Sequence, residues 1–273
     1  MEVLDRGDQV RKALDGVRAA GRTVGLVATM GSLHEGHASL IRRSRAECDV
    51  TAVTIFVNPL QFGDPADLAA YPRDLDHDVA VAADAGAAVV FAPAVDEMYP
   101  GGPPAVTVSV AGFDDMEGAS RPGHFDGVAT VVAKLFNLAG PCRAYFGEKD
   151  FQQLGVVRRL ATDLSFPVEV VACPTVREPD GLACSSRNAR LSPEERGAAT
   201  VLYRALTTAA LSMAAGECNT EFVRRIMVNI VAREPLATLD YAEVRPPWLL
   251  IAACFGGVRL IDNCHIEKQE VPA

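Results

Sequence analysis

Apolar positions along this chain fall into two kinds of run. Some recur every three or four residues, as in 8–20, where Val10, Ala13, Leu14 and Val17 share a helical face until Gly21 ends the pattern. Others are short, continuous and β-branched, as in 24–28, 50–57, 87–92 and 167–172, and read as buried strands. Between them, 38–46, 74–85, 126–138 and 151–163 read as helices, and 143–146 as a further short strand. Strand, helix and strand repeated at this spacing predict βαβ units and a parallel sheet. Val106, Val108 and Val110 alternate after a Pro/Gly cluster and predict an added edge strand, and 120–125 reads as a loop.

The pattern changes after Pro174. Two helical stretches, 194–215 and 221–232, precede three short apolar runs at 241–244, 249–254 and 258–261. Helices followed by short strands predict a separate domain. The expected architecture is therefore α/β: a Rossmann-like parallel-sheet domain over 1–175 and a smaller α+β C-terminal domain over 176–273.

One junction carries most of the chemistry. The strand at 24–28 runs into Thr29-Met30-Gly31-Ser32-Leu33-His34-Glu35-Gly36-His37, and a helix follows. A helix N-terminus offers free N–H groups and the positive end of a dipole, which suit a phosphate. Gly31 and Gly36 permit close backbone approach. Isolated histidines at such places are usually surface or capping residues. Two in a strand–turn–helix context bring a ligand or catalytic role to even terms with that reading. A zinc protease would space its histidines as H-E-x-x-H, whereas this segment reads H-E-G-H and has no zinc-like cysteine pair nearby, so that reading is rejected.

Composition narrows the classes. With 49% hydrophobic and 22% charged residues the chain is an ordinary globular one, and no run of eighteen apolar residues suggests a membrane span. A net charge of −9 argues against a general nucleic-acid binder but leaves a nucleotide substrate open. Seven scattered cysteines without a C-x-x-C pair fit reduced thiols, and the N-terminal residues lack a signal-peptide layout; a cytoplasmic protein is expected.

His34-Glu35-Gly36-His37 resembles the H-x-G-H signature of nucleotidyltransferases and class I aminoacyl-tRNA synthetases. Three further segments sharpen the likeness: Phe56-Val57-Asn58-Pro59-Leu60-Gln61-Phe62, Phe146-Gly147-Glu148-Lys149-Asp150-Phe151-Gln152-Gln153-Leu154, and 177–191 with Ser185-Ser186-Arg187-Asn188. In this order they resemble the pantothenate synthetase (pantoate–β-alanine ligase) family, and Arg259-Leu260-Ile261-Asp262-Asn263 extends the likeness. The resemblance implies adenylation of pantoate by ATP, with Mg²⁺, then capture of the acyl adenylate by β-alanine. It implies ATP contacts at Met30, Gly31, Ser32, Leu33, His34, Glu35, Gly36 and His37, then at Gly147, Glu148, Lys149 and Asp150, and finally at Val176, Cys184, Ser185, Ser186 and Arg187. His34, His37 and Lys149 are the implied catalytic residues, and Gln61 and Gln153 the implied pantoate-binding pair. Arg121 and His124 are secondary candidates. A homodimer and a C-terminal lid are implied by the family alone.

The chain departs from the family pattern in three places. Cys184 stands where methionine is usual. His77 interrupts the acidic run 74–78, so no protein ligand is assigned to Mg²⁺. The stretch 252–258 lacks the usual basic character. Trp248, His77 and His265 read as packing or surface residues. Two alternatives remain: another H-x-G-H adenylyltransferase, and an inactive nucleotide-binding paralogue. Gln61 and Gln153 with few nearby cations favour a small hydroxy acid over the first. Retention of His34, His37, Lys149 and Ser185 counts against the second. A tRNA synthetase is disfavoured by length, and no nucleic-acid or membrane partner is expected.

Overall fold

The computed structural model describes residues 1–266. Among these, residues 1–147 and 151–174 form one compact unit, and residues 148–150 and 175–266 form another.

The first unit contains, in order, β1 (Glu2–Leu4), α1 (Gly7–Ala19), β2 (Val24–Thr29), α2 (Glu35–Glu47), β3 (Val50–Ile55), α3 (Pro65–Ala70) and α4 (Leu75–Asp84). Then come β4 (Val89–Phe91), α5 (Val95–Met98), α6 (Met116–Ser120), α7 (His124–Ala139), β5 (Cys142–Gly147), α8 (Phe151–Asp163) and β6 (Val168–Cys173). The six strands are all parallel, in the order β1-β4-β3-β2-β5-β6. Alternate residues leave the sheet on opposite faces. Leu26, Ala52 and Ala144 join the core layer containing Leu14, Phe136 and Val157. Val27, Val53, Val90 and Tyr145 instead join Leu40, Ile41 and Ala82. Because both faces are covered, the strands read as continuous apolar runs rather than as alternation. Each Val or Leu buried this way contributes about 1.5–3 kcal/mol.

The second unit has α9 (Pro193–Ala198), α10 (Val201–Ala214), α11 (Thr220–Val231), β7 (Ala237–Arg245), β8 (Trp248–Phe255) and β9 (Val258–His265). The strands form an antiparallel meander, β7-β8-β9. Leu249, Ile251, Ala253 and Phe255 are spaced by two and share a core with Leu202, Leu206, Val223 and Met227 of the helices. Trp248 packs edge-on against His265, with ring centroids 5.0 Å apart.

Three sequence expectations need correction. The run 106–110 is not a strand: Val108 N–H donates to Thr130 Oγ1 (2.9 Å) and Val110 N–H to Asp126 Oδ1 (2.8 Å), so α7 side chains take the place of a neighbouring strand. Alternation reports which side chains share a face, not what satisfies the backbone. The stretch 194–215 is two helices, broken at Ala199 and Thr200; the shorter one starts at a capping box built by Ser192 and Glu195. The loop expected at 120–125 is the join between α6 and α7, and α7 already begins at His124. β1 has only three residues, too few for periodicity to show, and it pairs with β4 at the sheet edge.

Candidate active site

The chain leaves β2 at Thr29 and turns through Gly31 (φ 86°) and Ser32 (φ 51°). The left-handed conformation is easy for glycine and uncommon for serine. Asp78, on α4 and 1% exposed, holds the turn: its oxygens accept the N–H groups of Ser32 (2.9 Å) and Leu33 (2.6 Å). A Cβ on Gly31 would stand 2.8 Å from Asp78 Oδ2, so this acceptor fits only against a glycine.

His34 then caps α2. Its Nδ1 accepts the Gly36 N–H (3.1 Å), and His37 Nδ1 accepts the His34 N–H (3.4 Å). Nitrogens that accept carry no proton, so both neutral rings hold theirs on Nε2. Their centroids lie 4.2 Å apart. Two Nε2–H donors and the α2 dipole thus share one helix start, an arrangement suited to anionic oxygens.

After β3 the chain makes a short turn, Pro59–Gln61, opened by Asn58. Gln61 is buried, and its Oε1 accepts from Asn58 Nδ2 (3.0 Å). Asn58 also donates to Gly127 O (3.0 Å) and accepts from Tyr99 OH (2.8 Å). Burial pushes the Tyr99 hydroxyl well above the usual phenol range. His124 Nδ1 lies 2.9 Å from Gln61 O, and a carbonyl only accepts, so this histidine carries its proton on Nδ1. Its Nε2 therefore receives Arg121 Nη1 (3.1 Å). The secondary candidates Arg121 and His124 are gathered around Gln61. Gln153 is half-buried in the first turn of α8. Its neighbour Gln152 is engaged within the fold, accepting Glu117 N–H (2.8 Å) and donating to Asp115 Oδ1 (2.7 Å).

The two histidines follow β2, Gln61 follows β3 and Gln153 follows β5, three adjacent strands. The connections run outward from β2 through β3 to β4, and the chain then resumes on its other side at β5. Open parallel sheets bind ligands at the carboxyl ends of their strands beside such a reversal.

In the second unit, Lys149 pairs with Asp150 (Nζ to Oδ1, 3.7 Å). Val176 O accepts the Cys184 N–H (2.9 Å), and Ser185 Oγ accepts the Arg187 N–H (3.3 Å). Asn188 Nδ2 bridges Glu178 Oε1 and Ala183 O, closing this loop on itself.

Comparison with known proteins settles the family. The sequence matches the family model described as Pantoate-beta-alanine ligase over residues 2–265. The chain belongs to the pantoate–β-alanine ligase family. A pantothenate synthetase of Chloroflexus aurantiacus is 50% identical, over 98% of this chain and 99% of that one. The Deinococcus radiodurans pantothenate synthetase is 53% identical over 92% and 96%. The crystal structure of pantothenate synthetase from Thermus thermophilus superposes with a TM-score of 0.91 at 46% identity, covering 97% of this chain and 99% of that one. The Francisella tularensis pantoate–β-alanine ligase, solved with β-γ ATP and β-alanine, gives 0.85 at 33% identity over 98% and 99%.

Around these segments of the pantoate–β-alanine ligase family member stand buried polar residues that sequence reasoning did not single out. Asn58 stands in the sequence within the 56–62 segment, with no role given to it. Asp78 lies in an acidic run, yet it shares the buried face of α4 with Ala82, an unfavourable place for a solvated carboxylate. That alignment was the available signal. Nothing marked Asn263 beyond its place in a motif. As for a metal, among the described residues no group of three or more His, Cys, Asp or Glu side chains could hold one. Asp78, the innermost acid of 74–78, is occupied by backbone N–H groups. The residues present do not fit a protein-held Mg²⁺ site.

Proposed function

We propose that this protein condenses pantoate with β-alanine through a pantoyl adenylate. A pantoate carboxylate oxygen attacks the α-phosphorus of ATP, the bond to the bridging oxygen breaks, and pyrophosphate leaves. The β-alanine amine then attacks the acyl carbon, loses a proton, and AMP departs with the electron pair of the acyl–oxygen bond. The reading rests above all on the paired Nε2–H tautomers of His34 and His37 at the start of α2. Donors fixed before charge develops stabilise a phosphoryl transition state without reorganising.

In this reading Met30 to His37, Gly147 to Asp150, and Val176 with Cys184 to Arg187 bind ATP, and Lys149 neutralises phosphate charge. Gln61 has its oxygen held by Asn58, so it offers its amide donors to pantoate; Gln153 is the second pantoate contact. Mg²⁺ enters with the ATP phosphates, which is how this ion is commonly carried. The residues from 176 onward act as a lid, and the working form is a cytoplasmic homodimer. All seven cysteines are free, in keeping with a reducing compartment. Among the described residues no helix is long and apolar enough to cross a membrane.

The test measures pyrophosphate release from ATP and Mg²⁺ with pantoate, with and without β-alanine, identifying products by mass. Pantoate-dependent pyrophosphate, and pantothenate only when β-alanine is present, are expected. Folded protein that binds ATP yet releases none with pantoate would overturn the reading.

A further inference from the structure

The segment Arg259 to Asn263 has so far no task. In the structure its last two residues face two of the ATP segments proposed above, all within the second compact unit. Asn263, 3% exposed, donates both hydrogens of its side-chain amide to consecutive carbonyls, Glu148 O (2.9 Å) and Lys149 O (2.8 Å). Two bonds from one planar group fix the orientation of the intervening peptide, and with it the direction in which Lys149 leaves the backbone.

Asn263 is itself held. Its N–H donates to Asp262 Oδ1 (2.7 Å) and its carbonyl accepts Arg177 Nη2 (2.9 Å). Asp262 takes Arg177 as a two-pronged partner at 2.6 and 3.0 Å. Such forked pairs are geometrically demanding as well as strong. Arg177 donates in addition to Gly181 O (3.0 Å) and lies over the Tyr203 ring, 4.7 Å from its centroid. The arginine follows Val176 directly in the chain. One network therefore runs from the Val176–Cys184 loop through Arg177 and Asp262 to Asn263 and the Glu148–Lys149 peptide.

We propose that Asn263, backed by Asp262 and Arg177, is a positioning residue that aims Lys149 at the ATP phosphates and ties its loop to the Val176 segment. The proposal rests on the phosphate role given to Lys149 under the proposed function. Asn263 touches no substrate; it acts through Lys149, and that is what a test must isolate.

A double-mutant cycle does so. Pantoate-dependent pyrophosphate release is measured for the wild type, Asn263→Ala, Lys149→Ala and the double variant. Asn263→Ala is expected to lower kcat on the order of 10²-fold, the scale of an ångström's misplacement, with the KM for pantoate unchanged. In the Lys149→Ala background the same substitution should change kcat by less than about twofold, since neighbours acting through one group are not additive. An equal loss in both backgrounds, or none in either, overturns the positioning role. Wild-type rates from Lys149→Ala would instead remove the phosphate role and the proposal with it. Asn263→Asp keeps the size of the side chain but turns an oxygen toward the two carbonyls, and should repeat the loss if the alanine variant fails to fold. The wild-type protein gives a reading of its own. The Asn263 side-chain amide protons should exchange with solvent far more slowly than those of a free asparagine, and exchange at the free rate would also overturn the proposal.

Discussion

Replacing Asp78 by asparagine asks how the histidine turn is kept in shape. The carboxylate is buried and both oxygens are used, accepting Ser32 and Leu33 N–H at 2.9 and 2.6 Å. Asparagine has nearly the same outline but only one oxygen, so one N–H would face an NH₂ group. A buried donor left without an acceptor costs about 1–3 kcal/mol. The turn also loses the contact that steadies Ser32 in a conformation serine rarely adopts. A loss of about 2 kcal/mol corresponds to a fall in Tm of roughly 4–8 °C for a unit of this size. The larger effect should be on rate. The turn sets where His34 begins α2, and a shift of an ångström at the two Nε2–H donors would lower pyrophosphate release on the order of 10²-fold. Thermal unfolding and pantoate-dependent pyrophosphate release, followed over a wide Mg²⁺ range, test both parts. A wild-type Tm with a wild-type rate would refute the argument. Recovery of the rate at high Mg²⁺ would refute it differently, by making Asp78 a metal ligand rather than the acceptor of the turn.

Three further outcomes are expected. Gly127→Ala places a Cβ 2.4 Å from Leu60 O and 2.7 Å from Gln61 N, both backbone atoms that cannot swing aside. It should destabilise by about 1–3 kcal/mol and raise the KM for pantoate more than that for ATP; an unchanged pantoate KM would contradict the placement of Gln61. Gln61→Ala should lower kcat/KM for pantoate by roughly 10- to 10²-fold, equivalent to one to two lost polar contacts, while ATP affinity measured by calorimetry survives. A fall in ATP affinity instead would mean the pocket is misassigned. Alkylation at pH 8 should mark exposed Cys218 first and spare buried Cys48, Cys173 and Cys264. Cys142 should also be spared, because burial pushes its thiol up to about 12 and only the thiolate reacts. Early modification of Cys142 in folded protein, seen by peptide mapping, would count against that burial.

The sequence alone determined the fold class and most of the strands and helices of the sheet domain. Runs such as Val24 to Thr29 and Val50 to Ile55 are β-branched or apolar and almost wholly buried because helices cover both faces of the sheet, and the sequence records that burial directly. The order of strands and helices then implied a parallel sheet with a smaller domain after Pro174. The place of His34 and His37 at a helix start was legible because it depends on local spacing, which four residues can encode.

Tertiary structure decided what backbone groups are bonded to and which distant side chains meet. The valines at 106, 108 and 110 alternate as an edge strand does, yet Thr130 and Asp126 of α7 satisfy the backbone there. The break in 194–215 falls at Ala199 and Thr200, where the Thr200 hydroxyl donates back to Gly197 O, and the apolar pattern runs straight through it. Asp78 holding a turn 45 residues earlier in sequence, and Asn263 holding a loop 114 residues earlier, leave no periodic trace. The tautomers of His34 and His37 follow from which N–H each ring accepts, a matter of ångströms. Local spacing can be written into neighbouring residues; a hydrogen bond across the fold exists only once the chain has closed on itself.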